Sequence, residues 1–116
     1  MSSSLGQSSS LPMPHDLGVH NKIKEIGDSL RPDLVRMCGT PTEKSGNPQF
    51  YRLLLVQLFE IKKQVSNHDT ICFLQNAISH LKKAIELSES SAINEEILWQ
   101  LQEVMALLFK LQNLPC

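Results

Sequence analysis

His68 and Cys72 stand four residues apart, a spacing that on a helix would let both side chains reach one metal ion. A structural zinc site needs further ligands, and none follows at the required spacing; His80 comes two turns later. The pair therefore reads more simply as a solvent-facing turn histidine beside a helix cysteine. His15 and His20 have no cysteine partners either. Nucleophilic catalysis would need a Ser or Cys beside a His and an acid. Cys72 and His80 share one helix but lie roughly 12 Å apart along its axis, too far to touch. Glu95 and Glu96 are adjacent, so a helix splays them apart instead of pairing them for acid–base work.

Residues 39–45, GTPTEKS, share letters with the phosphate-binding loop G-x-x-x-x-G-K-[ST]. The second glycine is missing, the lysine comes one position early and no strand precedes the loop, so no backbone cradle for phosphate follows. Thr40-Pro41 has the form of a minimal proline-directed phosphorylation site, although Thr-Pro also simply starts turns. Leucines between Leu101 and Leu114 resemble an export signal, but at helical spacing they read as core. No catalytic residue, cofactor, metal or small-molecule substrate is expected from these patterns, and no enzyme activity.

The bulk numbers narrow the class of job. The chain has 116 residues, room for one domain; 11 Lys and Arg against 12 Asp and Glu leave a net charge of −1. That balance supplies no basic stripe for a phosphate backbone. Basic residues after Pro48 are scattered as Arg52, Lys62, Lys63, Lys82, Lys83 and Lys110. No apolar run approaches the roughly 18 residues of a membrane span, so no membrane partner is expected. Neither a secretory signal nor an Arg-rich presequence opens the chain. Cys38, Cys72 and Cys116 are odd in number and widely spaced, which fits a reduced compartment, cytoplasmic or nuclear. Cys38 and Cys72 fall on apolar stripes and read as small buried hydrophobes.

The elements that would position these residues are helices. All 5 Gly, and every Pro except Pro115, lie at or before Pro48, so 49–114 is a breaker-free stretch that no turn-rich β fold would tolerate. Residues 1–14 form a Ser-rich segment too poor in apolar surface to order itself. Residues 15–116 form one helical domain. Its N-terminal segment, 15–39, carries a helix over 16–30 capped by Asp16, with Val19, Ile23, Ile26 and Leu30 on one face. Pro32 should break or kink this helix at Arg31; a short turn with Leu34 and Met37 then extends the stripe to a Gly39 cap.

Residues 48–114 form a three-helix unit. Asn47 caps the first helix and Pro48 takes its first position; Phe50, Leu54, Leu58, Ile61 and Val65 form its stripe. The second starts near Asp69 with Ile71, Leu74, Ile78, Leu81 and Ile85, flanked by Ala77 and Ala84. Ser90 or Ser91 caps the third, whose stripe is Ile93, Ile97, Leu101, Val104, Leu108 and Leu111. The expected fold is all-α: an antiparallel three-helix bundle with an additional N-terminal helix, able to close as a four-helix bundle.

Some apolar residues do not fit these stripes. The Pro48 helix also carries Tyr51, Leu53, Leu55, Val56 and Phe59; the last helix also carries Leu98, Trp99, Met105, Leu107 and Phe109. Either the N-terminal helix covers this surplus or another chain does. Phe59, Leu98, Trp99, Leu107 and Phe109 are the anchors expected on a protein partner or a second copy. The function expected is a non-catalytic helical interaction module, a small subunit or adaptor. The alternative is a helical nucleic-acid-binding or transcription-associated domain, in which Lys62, Lys63, Lys82 and Lys83 would have to converge on one face.

Overall fold

Each apolar stripe becomes the buried side of a helix. The computed structural model describes the backbone of residues 14–113 and the side chains from residue 18 onward. The described residues form four helices: α1 (Pro14–Cys38), α2 (Pro48–Gln64), α3 (His68–Glu89) and α4 (Asn94–Gln112). The expected Ser-rich tail lies outside the described residues except at its last position, Pro14, which starts α1; Cys116 also lies outside them.

The helices form a four-helix bundle. α3 packs on α2 and α4, and α1 packs on α4 and less extensively on α2; the diagonal pairs α1–α3 and α2–α4 make no contact. Neighbours run antiparallel: Arg52 in α2 pairs with Glu89 at the end of α3, while Phe59, farther along α2, meets Lys82, farther back in α3. Leu30, Leu58, Leu81, Leu101 and Leu108 are all at most 1% exposed, so one core runs between all four helices.

The first helix differs from its expected form at both ends. It starts at Pro14, which places Asp16 inside the first turn instead of at the cap. It also runs through Pro32 to Cys38 without ending. An interior proline costs about 3 kcal/mol by removing one hydrogen bond and crowding the preceding turn. Contacts beyond the proline offset that cost. Leu30 and Met37 on either side of it are fully buried. The Tyr51 hydroxyl donates to Asp33 Oδ2 at 2.5 Å, and the Arg36 guanidinium holds Asp33 Oδ1 at 2.6 Å. Burial and the Asp33 carboxylate push the Tyr51 phenol above its ordinary range, which keeps it a hydrogen-bond donor.

In α2, Asn47 caps as expected and accepts the Phe50 N–H at 3.2 Å. The stripe is rotated, however. Tyr51 is fully buried, while Phe50 and Val65 are half-buried. The rotation follows from the tyrosine hydroxyl, which finds Asp33 and Met37 on α1. In α3, Asn67 caps and the helix starts at His68; Leu74, Ile78, Leu81 and Ile85 are buried and Ile71 only half-buried. Ala77 and Ala84 are fully buried and let neighbouring helices approach closely.

The turn into α4 uses neither serine as an N-cap. Ser90 is the C-cap of α3, and Ile93 occupies the N-cap of α4 without a side-chain bond. Ser91 adopts φ 61°, Ala92 donates its N–H to the Leu87 carbonyl at 2.9 Å and Ser91 donates to Ser88. This is the Schellman closure, in which glycine normally takes the left-handed position. Ser91→Gly is therefore expected to stabilise the fold by about 0.5–1 kcal/mol, read as a higher urea midpoint. An unchanged or lower midpoint would contradict it.

The N-terminus of α4 is capped instead by the loop of residues 39–47. The Asn94 N–H donates to the Glu43 carbonyl at 2.7 Å and the Glu95 N–H to the Pro41 carbonyl at 2.9 Å. The Asn94 side chain, fully buried, clamps the same loop. Its Nδ2 donates to Thr40 O, Thr40 Oγ1 and Ser45 Oγ at 2.8–3.0 Å, and its Oδ1 accepts the Ser45 N–H at 3.0 Å. Arg36 also donates to Ser45 Oγ, so one polar network runs from Tyr51 through Asp33, Arg36 and Ser45 to Asn94 and Thr40. Gly46 seals it: a Cβ there would come within 2.5 Å of Ser88 Oγ and 2.7 Å of Ile97 Cδ1.

Candidate interaction surfaces

Trp99 and Phe109 lie on α4, whose buried side is Ile97, Leu101, Val104, Leu108 and Leu111. Both fall off that side and are 64% and 67% exposed. Exposed Ala106 stands seven residues from Trp99 and three from Phe109, which places all three along one outward row. Leu98 and Leu107 behave differently: both are half-buried and packed against the core. Phe59 sits at the edge of exposure at 36%, and Lys82 Nζ lies 5.4 Å from its ring centroid in a cation–π contact.

Three further exposed hydrophobic residues were not among the expected anchors: Val35 on α1, 67% exposed, and two on α2. Leu53 and Val56 on α2 are 63% and 59% exposed, and with Phe59 they recur every three residues across the outer side of that helix. Their signal was present in the sequence, since both fall outside the Leu54–Leu58–Ile61 stripe; favouring aromatic anchors passed over them. Because α2 and α4 are diagonal partners, these outer rows point to opposite sides of the bundle. The surplus apolar surface is therefore two faces, and α1 covers neither row.

The charges around the two faces differ in sign. α2 carries Arg52, Lys62 and Lys63 against Glu60; α4 carries Glu95, Glu96 and Glu103 against Lys110. Among the described residues, Arg52 pairs with Glu89 and Lys63 with Glu60, whereas Glu95, Glu96 and Glu103 enter no ion pair. The four central lysines are divided. Lys82 covers Phe59 toward α2, while Lys83 lines a shallow hollow with Trp99 on the α4 side.

The chemistry candidates gain little from the fold. Cys72 Sγ lies 3.5 Å from His68 Nε2, and the described residues contain no group of three or more His, Cys, Asp or Glu able to hold a metal. His80 Nδ1 meets Gln100 Oε1 at 2.8 Å and ties α3 to α4. Cys38 is exposed and Cys72 half-buried, not buried as their stripes implied; Met37, one residue earlier, takes the inward position instead of Cys38. The GTPTEKS segment is the loop that caps α4, and its Thr40 hydroxyl donates to the Arg36 carbonyl while accepting from Asn94. No helix among the described residues is long and apolar enough to cross a membrane. No protein family, curated protein or solved structure matches this chain.

Proposed function

We propose that the chain is a non-catalytic helical interaction module, a small subunit or adaptor that acts in the cytosol or nucleus through the outer faces of its bundle. The observation that carries this reading is the exposure of Trp99 and Phe109 on a helix whose other side already completes a closed core. Large aromatic side chains are costly to leave in water, and they dominate binding energy where they dock. The nucleic-acid alternative needs four lysines on one face, and Lys82 and Lys83 are turned toward different neighbours. Affinity capture with mass spectrometry tests the module. Trp99→Ala and Phe109→Ala should each weaken retention of a bound protein by about 30-fold, the factor that about 2 kcal/mol represents for an interface anchor. An Asn76→Ala control, on an exposed polar position of α3, should leave retention unchanged. Equal recovery with all three variants and the wild type would sink the reading.

A further inference from the structure

We propose that Thr40 is a phosphorylation site for a proline-directed protein kinase, and that its phosphoryl group releases residues 39–47 from the N-terminus of α4. The inference stands on the loop and its clamp, apart from the reading of the outer faces.

Sequence and fold single out this residue together. Of the six prolines, Pro41 alone follows a Ser or Thr, so Thr40-Pro41 is the chain's one site of that form. The fold sets it in a loop between helices, with Pro41, Thr42, Glu43 and Lys44 exposed and Thr40 half-buried. No residue from 39 to 47 is a buried hydrophobic one. Hydrogen bonds hold this loop, and opening it costs far less than unfolding a core helix. Opening frees the Thr40 hydroxyl, which in the closed loop donates to the Arg36 carbonyl at 3.1 Å and accepts from Asn94 Nδ2 at 3.0 Å. Thr40 Oγ1 then attacks the γ-phosphorus of the kinase's nucleoside triphosphate. The new O–P bond replaces the bond to the β,γ-bridging oxygen. The nucleoside diphosphate leaves with that electron pair, and the hydroxyl proton passes to the kinase's catalytic base.

The closed loop has no place for the product. The ester oxygen carries no proton, so the bond to the Arg36 carbonyl is lost. A group of about −1.5 to −2 charge would stand against that carbonyl in the last turn of α1, the negative end of the helix. Donors that could compensate are taken. The Asn94 and Glu95 N–H groups meet the Glu43 and Pro41 carbonyls, and the Glu96 N–H meets Ile93. The Arg36 guanidinium holds Asp33 and Ser45. The first turn of α4 already carries the carboxylates of Glu95 and Glu96. Lys44 belongs to the same loop and moves with it, so it favours neither form. An open loop leaves the phosphate in water, so modification traps the open form. α4 then loses the two backbone caps that the Pro41 and Glu43 carbonyls supply.

Incubation of the full chain with a proline-directed serine/threonine kinase and Mg-ATP, read by intact mass and fragment mapping, tests this. The wild type should gain one phosphoryl group, at Thr40. Thr40→Ala should gain none, and neither should Pro41→Ala, which keeps the backbone carbonyl that caps Glu95. Asn94→Ala, with the clamp cut, should be modified roughly tenfold faster, because the rate follows the open fraction. Ser45→Ala, a gentler cut that removes one hydroxyl from Arg36 and Asn94, should also react faster. In the phosphorylated chain the amides of residues 42–47, Asn94 and Glu95 should exchange roughly tenfold faster, the factor for two ordinary hydrogen bonds lost. The proposal is overturned if the folded wild type is left unmodified at Thr40, if neither clamp variant reacts faster, or if the phosphorylated loop exchanges like the unmodified one.

Discussion

Leu81→Ala is expected to cost about 2–5 kcal/mol, the range for emptying a buried leucine site that relaxes only in part. Leu81 is fully buried in α3, the helix that packs on both α2 and α4. A cavity there removes contacts from the middle of the bundle, not from a rim. Helix propensity does not confound the result, because Ala is as good a helix former as Leu. A domain of this size has only about 5–15 kcal/mol of stability, so the variant should show a much lower urea midpoint with an unchanged slope. Leu53→Ala makes the same chemical deletion at a position 63% exposed, and should stay within about 0.5 kcal/mol of wild type. A loss below about 0.5 kcal/mol at Leu81 would mean that the register of α3 is wrong.

That register was legible because α3 is the most regular element. Its spacing of 3 and 4 between Leu74, Ile78, Leu81 and Ile85 leaves one inward face, and the structure buries all four. The Asn47 cap was legible for the same local reason: a side-chain acceptor before Pro48 satisfies a donor three residues on. What failed to show locally was decided by distant partners. Pro32 stays inside α1 because Met37 and Asp33 are held from α2. Tyr51 turns inward because its hydroxyl has an acceptor 18 residues earlier in the chain. The left-handed Ser91 was hidden because the closure there uses a residue type that does not advertise it. The anchor set was legible in part: the surplus on α2 and α4 follows from counting apolar positions beyond one stripe. Its division into two opposed faces depends on which helices sit across the diagonal, and that arrangement has no sequence signature.

Asn94→Ala should be the second large loss, about 2–4 kcal/mol, although it deletes a polar side chain in a helix's first turn. At that position an asparagine would ordinarily be exposed and replaceable at little cost. Here it is fully buried and makes four hydrogen bonds to residues about 50 positions away. Alanine leaves the Ser45 N–H without its partner and the Thr40 carbonyl with the Glu43 N–H alone, in a site closed by Gly46, Ser88 and Ile97. The orphaned Ser45 N–H carries a desolvation penalty of about 1–3 kcal/mol, and the lost bonds to Thr40 and Ser45 Oγ add to it. The damage should spread along the loop, since its carbonyls at Pro41 and Glu43 cap the first two N–H groups of α4. Asn94→Asp separates the two halves of the clamp. It keeps the acceptor for Ser45 but has no N–H to give Thr40, and it sets a carboxylate against that carbonyl, so it should not rescue. Native-state hydrogen exchange should find residues 39–47 opened at lower free energy in Asn94→Ala, with the α3 core still protected. If the variant melts like wild type and the loop amides exchange no faster, the clamp does not hold the loop, and the backbone caps of α4 must form without it.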